Sequence, residues 1–501
     1  SAAAAAATLL LAACSSGGGD AGDGDAGDGS GGTLTYGMVG SANDEMTPWP
    51  LQRNVSQSVF SEQVYEGLTT YGPDGSLVYM LAESMEPNET LDTWTVHLRD
   101  GVKFHDGTDF DADDVIHSID WILDPANQYP AATQLQMVDP AGLTKVDDLT
   151  VQIELLEPYG PFPQVWTQNR LPMASSDPES GDQVGTGPWV VTDFTPQQQA
   201  TFDRFEDYWG EKPGFEHLDI VHFPDQASMV NALRANQIDI ANSVPFPEVA
   251  GLLQSDQLTS TEAEAVGGLT LSMRTDIAPF DDPKVREAFR LIVDREQVLS
   301  NAYGGFGVVG NDMRTRATAC PAPDVEQREQ DIDRAKQLLE EAGQAGLSAE
   351  LVTDGMMPGM METAQLFAQH AAEAGVTIEV RQLDVADFLS KYREWPFAIG
   401  LDGGDYFSMI PSYLQPGGEQ NVTHFDDPEY NELADKLFAT ADEDEQCGYI
   451  TRMLEIEWER GGDIIAVQGN TVVVHDVRVV GLTPDRWGRT GYNFRGVTLE
   501  G

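Results

Sequence analysis

Apolar and polar residues alternate along Thr93-Trp94-Thr95-Val96-His97-Leu98, so Trp94, Val96 and Leu98 share one face of a predicted half-buried strand. Thr33 to Met38 reads as another short strand. Asp100-Gly101 and Asp106-Gly107 are turn signals on either side of Val102-Lys103-Phe104. The period then changes. Asp111 precedes a helical pattern with Asp113 and Asp114 in its first turn and Val115, Ile119 and Ile122 on one face. Asp282-Pro283 opens a helix that buries Val285, Phe289, Ile292 and Val293, with proline at the first helical position. Residues 331–342 predict a helix burying Ala335, Leu338, Leu339 and Ala342, stopped by Gly343 and followed by a strand at 349–353. A helix at 365–374, Gly375 and a strand at 376–380 repeat that order. Alternating helices and strands predict an α/β layer with parallel pairing. No short-period repeat suggests a solenoid.

Length and charge narrow the class. The 501 residues suffice for two or three domains, and 41% are hydrophobic. Acidic residues number 83 against 28 basic, a net charge of −55. Such a chain repels phosphate and offers no basic stripe, which argues against nucleic acid as a partner. Solubility in a salty or acidic medium accounts for the charge, and attraction of cationic ligands is the alternative. The three cysteines, Cys14, Cys320 and Cys447, form no C-x-x-C motif. Outside the cytoplasm, Cys320 and Cys447 either form a disulfide closing a long loop or remain two buried thiols.

The first residues read as a processing signal. Ala2 to Ala13 is uncharged and rich in alanine and leucine, like the apolar core of a secretory signal whose charged start lies outside this sequence. Leu11-Ala12-Ala13-Cys14 resembles the bacterial lipobox, in which cleavage leaves a lipidated cysteine as the first residue. Cys14 is therefore the expected attachment point of a lipid anchor, and more than one acyl chain is needed for a stable hold. Ser15 to Gly32, rich in Gly and Asp, would be a tether with a mean reach of roughly 23 Å. Its aspartates lack the closing Glu of a calcium loop.

Catalytic signatures are missing. The chain has no H-E-x-x-H, G-x-S-x-G or Walker A sequence. Gly305 to Gly310 spells G-x-G-x-x-G but follows a helical run rather than a strand, so the dinucleotide context fails. His97, His105 and His117 lie on different predicted elements without metal-ligand spacing. No enzyme, metal site or cofactor is expected.

Several stretches, taken in order, resemble the family 5 extracellular solute-binding proteins of peptide/nickel ABC importers. They are Val64-Tyr65-Glu66-Gly67-Leu68, Leu81 to Ser84, Thr93 to Gly107, Ala112 to Val115, Gly185-Thr186-Gly187-Pro188-Trp189, Asp207 to Gly210, Gln237 to Ile240, and Pro279 to Ala288 with Asp294-Arg295. The resemblance runs from about Thr33 to the C-terminus. It implies an α/β, two-lobed periplasmic-binding-protein-like fold of type II (cluster C, with an extra subdomain), hinged between lobes. The expected division is 1–13 signal remnant, 14–32 lipidated cysteine and linker, 33–75 with 181–267 and 478–501 as lobe one, 76–180 as an inserted subdomain, and 268–477 as lobe two.

Function follows from the resemblance: a lipid-anchored monomer on the outer face of the cell membrane that captures a short peptide and passes it to an ABC permease with its ATPase. Asp405 stands where peptide-binding members carry an aspartate for the ligand's α-amino group, although Leu401 replaces the usual tryptophan and the usual Asp-Pro after it is missing. Gly404 and Tyr406 flank it. Thr186 and Trp189 of the GTGPW loop, Met46 and Trp49 after the first strand, and Tyr303 and Phe306 are further expected cleft residues, with Arg274 as a carboxylate partner. Arg286 is expected to serve its helix, and Trp395 either core or pocket. A nickel chelate, sugar or opine-type solute, a surface hydrolase, and a signalling lipoprotein are the alternatives. Steady peptide hydrolysis would single out the hydrolase, and neighbouring permease genes would separate transport from signalling.

Overall fold

The structure, a computed structural model, describes residues 32–500 apart from 41–43, 51–54, 73–74, 168–169, 265–266, 355–356, 358 and 485–493. Cys14, the segment before it and the Gly/Asp tether lie outside the described residues.

Three sheets organise the chain. The first has eight strands in the order 258–264, 467–476, 240–241, 33–39, 217–223, 199–204 and 189–195, with 307–309 also paired to 467–476. Thr33–Val39 runs parallel to His217–Phe223, with Tyr36 opposite Ile220. The second orders 377–382, 348–353, 397–402, 268–273 and 463–464. The third, 82–87, 93–98, 150–155 and 138–147, is antiparallel throughout.

Chain order places the joints. Strand Leu258–Glu264 ends in the first sheet and Gly268–Met273 begins in the second, while Asp463–Ile464 and Val467–Asp476 make the return. The chain thus passes from the first sheet to the second near 264–268 and returns near 464–467, with Gly307–Val309 reaching the first sheet in between. Val467–Asp476 pairs into the first sheet, with Leu258–Glu264 from Asn470 to Asp476 and with Ile240–Ala241 at Val474 and His475.

Local chemistry explains the elements. Asp111 accepts from the Asp113 amide at 2.8 Å while its own amide donates to Asp114 at 2.8 Å, a reciprocal cap for helix Ala112–Leu123. That helix lays Val115, Ile119 and Ile122 on Trp94, Val96 and Leu98, all buried. Each such side chain contributes about 1.5–3 kcal/mol on leaving water. In the second layer, helix Ile332–Glu341 buries Ala335, Leu338 and Leu339, whereas Ala342 is only partly covered. Gly343 and Gly375 take φ of +69° and +78°, left-handed stops that return the chain to Ser348–Thr353 and Thr377–Gln382. Those strands pair in parallel, as the pattern predicts. The second helix starts at Met360 rather than 365, since Met360 and Ala364 extend the buried stripe.

The G-x-G-x-x-G stretch is backbone packing. Gly307–Val309 is a strand against Val467–Gly469, and a Cβ on Gly310 would lie 2.2 Å from the Ile465 carbonyl oxygen. Cys320 and Cys447 are joined, S–S 2.05 Å, tying the 320 loop to helix Glu443–Arg460.

Candidate ligand-binding site

A cavity of about 920 Å³ opens between the inserted sheet's loops and the segment that follows the second sheet's strand Phe397–Asp402. One wall is built by residues 403–420 with Asp435, Phe438 and Ala439, the other by residues 130–137 and 157–165 with Arg170.

The first wall begins at an anchored carboxylate. Asp402 accepts from the Gly268 amide at 3.0 Å and from Arg314 Nε at 2.7 Å. Gly404 follows with φ +125°, and a Cβ there would sit 2.9 Å from Ser408 Oγ, so glycine is required. Asp405 then caps helix Tyr406–Met409, accepting from the Ser408 amide at 3.0 Å. It is 4% exposed. Burial pushes its carboxyl above the usual range, and the Ser408 hydrogen bonds oppose this.

Beneath this loop lies a buried ionic cluster. Arg314 also donates from Nη1 to Glu457 at 2.9 Å and from Nη2 to Asp463 at 2.5 Å. The Tyr406 hydroxyl donates to Glu457 at 2.5 Å and receives the Tyr430 hydroxyl at 3.2 Å. Burial pushes the carboxyls of Asp402 and Glu457 upward against the pull of Arg314. Both ends of the Asp405 loop are therefore held through one guanidinium.

The opposite wall comes from the insertion. Tyr159 is partly buried; its phenol is pushed up by burial first and by the Asp405 charge second, which places the two groups within Coulomb reach. Burial and Asp402 push the Tyr413 phenol up to about 12, with Arg314 and Arg170 opposing. Arg170, Gln134 and Gln164 line the cavity across from Ser408 and Ser412. The cavity lining thus carries four carboxylates, Asp405, Glu157, Glu419 and Asp435, one guanidinium, Arg170, and neutral hydrogen-bonding groups, an acid-rich set that can pair with a cationic group and still offers one cation to a carboxylate. Among the described residues, no group of three or more His, Cys, Asp or Glu is placed to hold a metal ion. No described helix is long and apolar enough to cross a membrane.

Of the ten ligand residues expected from sequence, Asp405 and Gly404 line this cavity. Tyr406 does not: it is fully buried, with its hydroxyl turned to Glu457. Thr186 instead donates to Glu66 at 2.9 Å, and Trp189 packs on Phe215 at 5.0 Å. Met46 is buried in the first lobe's core, while Trp49 stacks on Trp121 at 4.3 Å and donates to the Pro172 carbonyl. Arg274 is held by Asp276 at 3.0 and 2.7 Å and so has its carboxylate already. Tyr303 and Phe306 pack on Phe246. Arg286 serves its helix, donating to the Phe280 carbonyl at 2.7 Å, and Trp395 joins a small cluster with Phe388. Sequence reasoning missed Tyr159 and Arg170. The signal was a tyrosine and glycine bracketed by Pro158 and Pro161, just after a strand.

The family model for bacterial extracellular solute-binding proteins, family 5 Middle, matches residues 76–423. A glutathione-binding protein, GsiB, of Shigella dysenteriae is 25% identical over 494 residues, covering 92% of this chain and 94% of that protein. Two solved structures share the fold. DppA of Helicobacter pylori in complex with peptide STSA has a TM-score of 0.76 at 21% identity over 94% of this chain and 98% of that one. NikZ of Campylobacter jejuni in complex with Ni(L-His) has a TM-score of 0.79 at 19% identity, over 93% and 99%.

Proposed function

The chain belongs to the family 5 bacterial extracellular solute-binding proteins, and from that premise we propose that it captures short peptides, glutathione-like ones included, in the Asp405 cavity for an ABC permease. The observation that carries this reading is that the buried Asp405 carboxylate and the Arg170 guanidinium line one polar cavity of about 920 Å³. An α-ammonium would pair with Asp405 and a terminal carboxylate with Arg170, while the amide and hydroxyl side chains serve the peptide backbone. Side-chain pockets can then stay permissive. Lobe one would comprise 33–75, 181–267 and the returning chain from 467, lobe two 268–466, and the insertion 76–180, with closure about the two crossings. The protein acts as a monomer, and Cys14, lipidated, tethers it to the outer face of the membrane.

Thermal-shift and calorimetric titrations with reduced glutathione, dialanine, peptide STSA and nickel–histidine test the assignment. A peptide that binds only the native state raises the melting temperature. Asp405→Asn, which keeps the helix cap, should weaken peptide binding by about 30-fold or more, since it removes one partner of a buried charge pair. A shift with nickel–histidine and none with any peptide overturns the peptide reading, and hydrolysis of the bound peptide overturns the receptor reading. Metabolic labelling with a fatty acid should mark the precursor-derived protein and not its Cys14→Ser variant.

A further inference from the structure

The insertion and lobe two meet beside the cavity. Gly160 donates its amide to the Phe438 carbonyl at 2.7 Å, across a sequence separation that spans both bodies. The Tyr159 ring stacks on Phe438, centroids 5.2 Å apart and planes 16° from parallel. A Cβ on Gly160 would lie 1.8 Å from the Thr440 carbonyl oxygen and 2.9 Å from the Ala441 nitrogen. No side chain fits there.

Both partners are braced from behind. On the insertion side, the Tyr159 amide donates to the Leu91 carbonyl at 2.9 Å, and Phe162 is fully buried against Trp94 and Trp166. On the lobe-two side, Gln446 donates to the Thr440 carbonyl at 2.8 Å, and the 438–441 turn joins helices Pro428–Phe438 and Glu443–Arg460. Two stiff elements therefore meet edge to edge rather than two floppy loops. Tyr159, Phe438 and Asp405 all line the same cavity, so the contact is also part of its wall.

We propose that Tyr159-Gly160 and the Phe438–Ala441 turn form a latch that holds the cleft shut, with Tyr159 acting as the positioning residue that completes the wall over Asp405. The proposal rests on the reading of this cavity as the solute site. Opening the lobes would break the Gly160 amide bond and the ring stack together and return Asp405 to water. Release of solute is then governed by unlatching, so the latch acts on residence time and not on encounter.

The test compares wild type with Gly160→Ala, Phe438→Ala and a control just past the end of the insertion, Gly181→Ala, whose Cβ meets nothing within 4 Å. Small-angle scattering of ligand-free protein and stopped-flow dissociation of reduced glutathione and dialanine are the readouts, with the thermal melt reporting the fold. Both latch variants should scatter as more extended particles than wild type and the control. They should also release the probe roughly tenfold faster at an association rate changed less than about twofold, the loss of one ring pair and one hydrogen bond. Scattering and release rates equal to wild type in both variants overturn the latch, as does a slowed association with unchanged release. If wild type binds neither probe, the ligand reading fails while the scattering comparison still decides the latch.

Discussion

Two of the buried ionic clusters, one from each lobe, are built with opposite arithmetic. In lobe one, Glu66 is a single carboxylate with four donors: Thr186 Oγ1 at 2.9 Å, the Tyr208 hydroxyl at 2.8 Å, Trp209 Nε1 at 2.8 Å, and Arg495 Nη2. Its charge and its lone pairs are fully matched. In lobe two, Arg314 is a single guanidinium facing three carboxylates, Asp402, Glu457 and Asp463. That cluster has more acid than base, and Asp405 sits directly above it. Glu66 ties the GTGPW loop, the Tyr208-Trp209 pair and the C-terminal tail into one joint. It is scaffold. Arg314 holds the loop that presents Asp405, and the surplus of acid beneath favours a cationic group on the ligand.

Removing the central charge of each cluster should expose the difference. Arg314→Met has the largest expected effect, about 3–5 kcal/mol of lost stability at neutral pH, because three carboxylates are left buried without a cation. Asp402 and Glu457 are already pushed upward, and a raised folded-state pKa stabilises below the unfolded value and is lost as pH rises. The deficit in urea denaturation should therefore shrink as pH falls through the carboxylate range. A deficit that grows in acid would break the comparison. Glu66→Gln comes next, at about 1.5–3 kcal/mol, since Arg495 loses its counter-charge while the amide keeps some hydrogen bonds. Peptide affinity should not change, which calorimetry checks.

Asp405→Asn is the smallest in stability and opposite in sign. Charging Asp405 in its buried site costs free energy that the amide avoids, so the ligand-free variant should be more stable at neutral pH, by about 0.5–2 kcal/mol. Its carboxyl is raised, so the gain should vanish below the unfolded pKa of about 3.9, where aspartate is neutral in both states. Melting curves between pH 3 and 8 would show the two proteins converging in acid. Equal melts at all pH values would mean that Asp405 carries no such strain.

The alternation at 93–98, the cap at Asp111 and the glycine stops at 343 and 375 were legible because each depends on neighbours within a few residues. Glycine and asparagine-like caps announce backbone conformations, and periodicity announces a buried face. The site was legible only at Asp405 and Gly404. Thr186 and Trp189 stand out as motif residues, yet in this chain they serve Glu66 and the core. Arg274 looked like a free cation, but Asp276 lies two residues along and takes it in a bidentate grip. Arg170 carries no pattern, and Tyr159 only its place between Pro158 and Pro161 after a strand. They join the cavity only because the insertion folds back over lobe two, more than 230 residues away in sequence.

The α/β class, the likeness to a family of exported receptors and the lipobox-like Cys14 follow from the sequence, since hydrophobic period, turn chemistry and short motifs are local quantities. Sheet membership of Val467–Asp476, the burial of three acids around Arg314, and the meeting of Gly160 with the Phe438–Ala441 turn were decided by the tertiary structure. Each of these joins segments far apart in the chain, and desolvation and close packing act on residues only after the fold has brought them together.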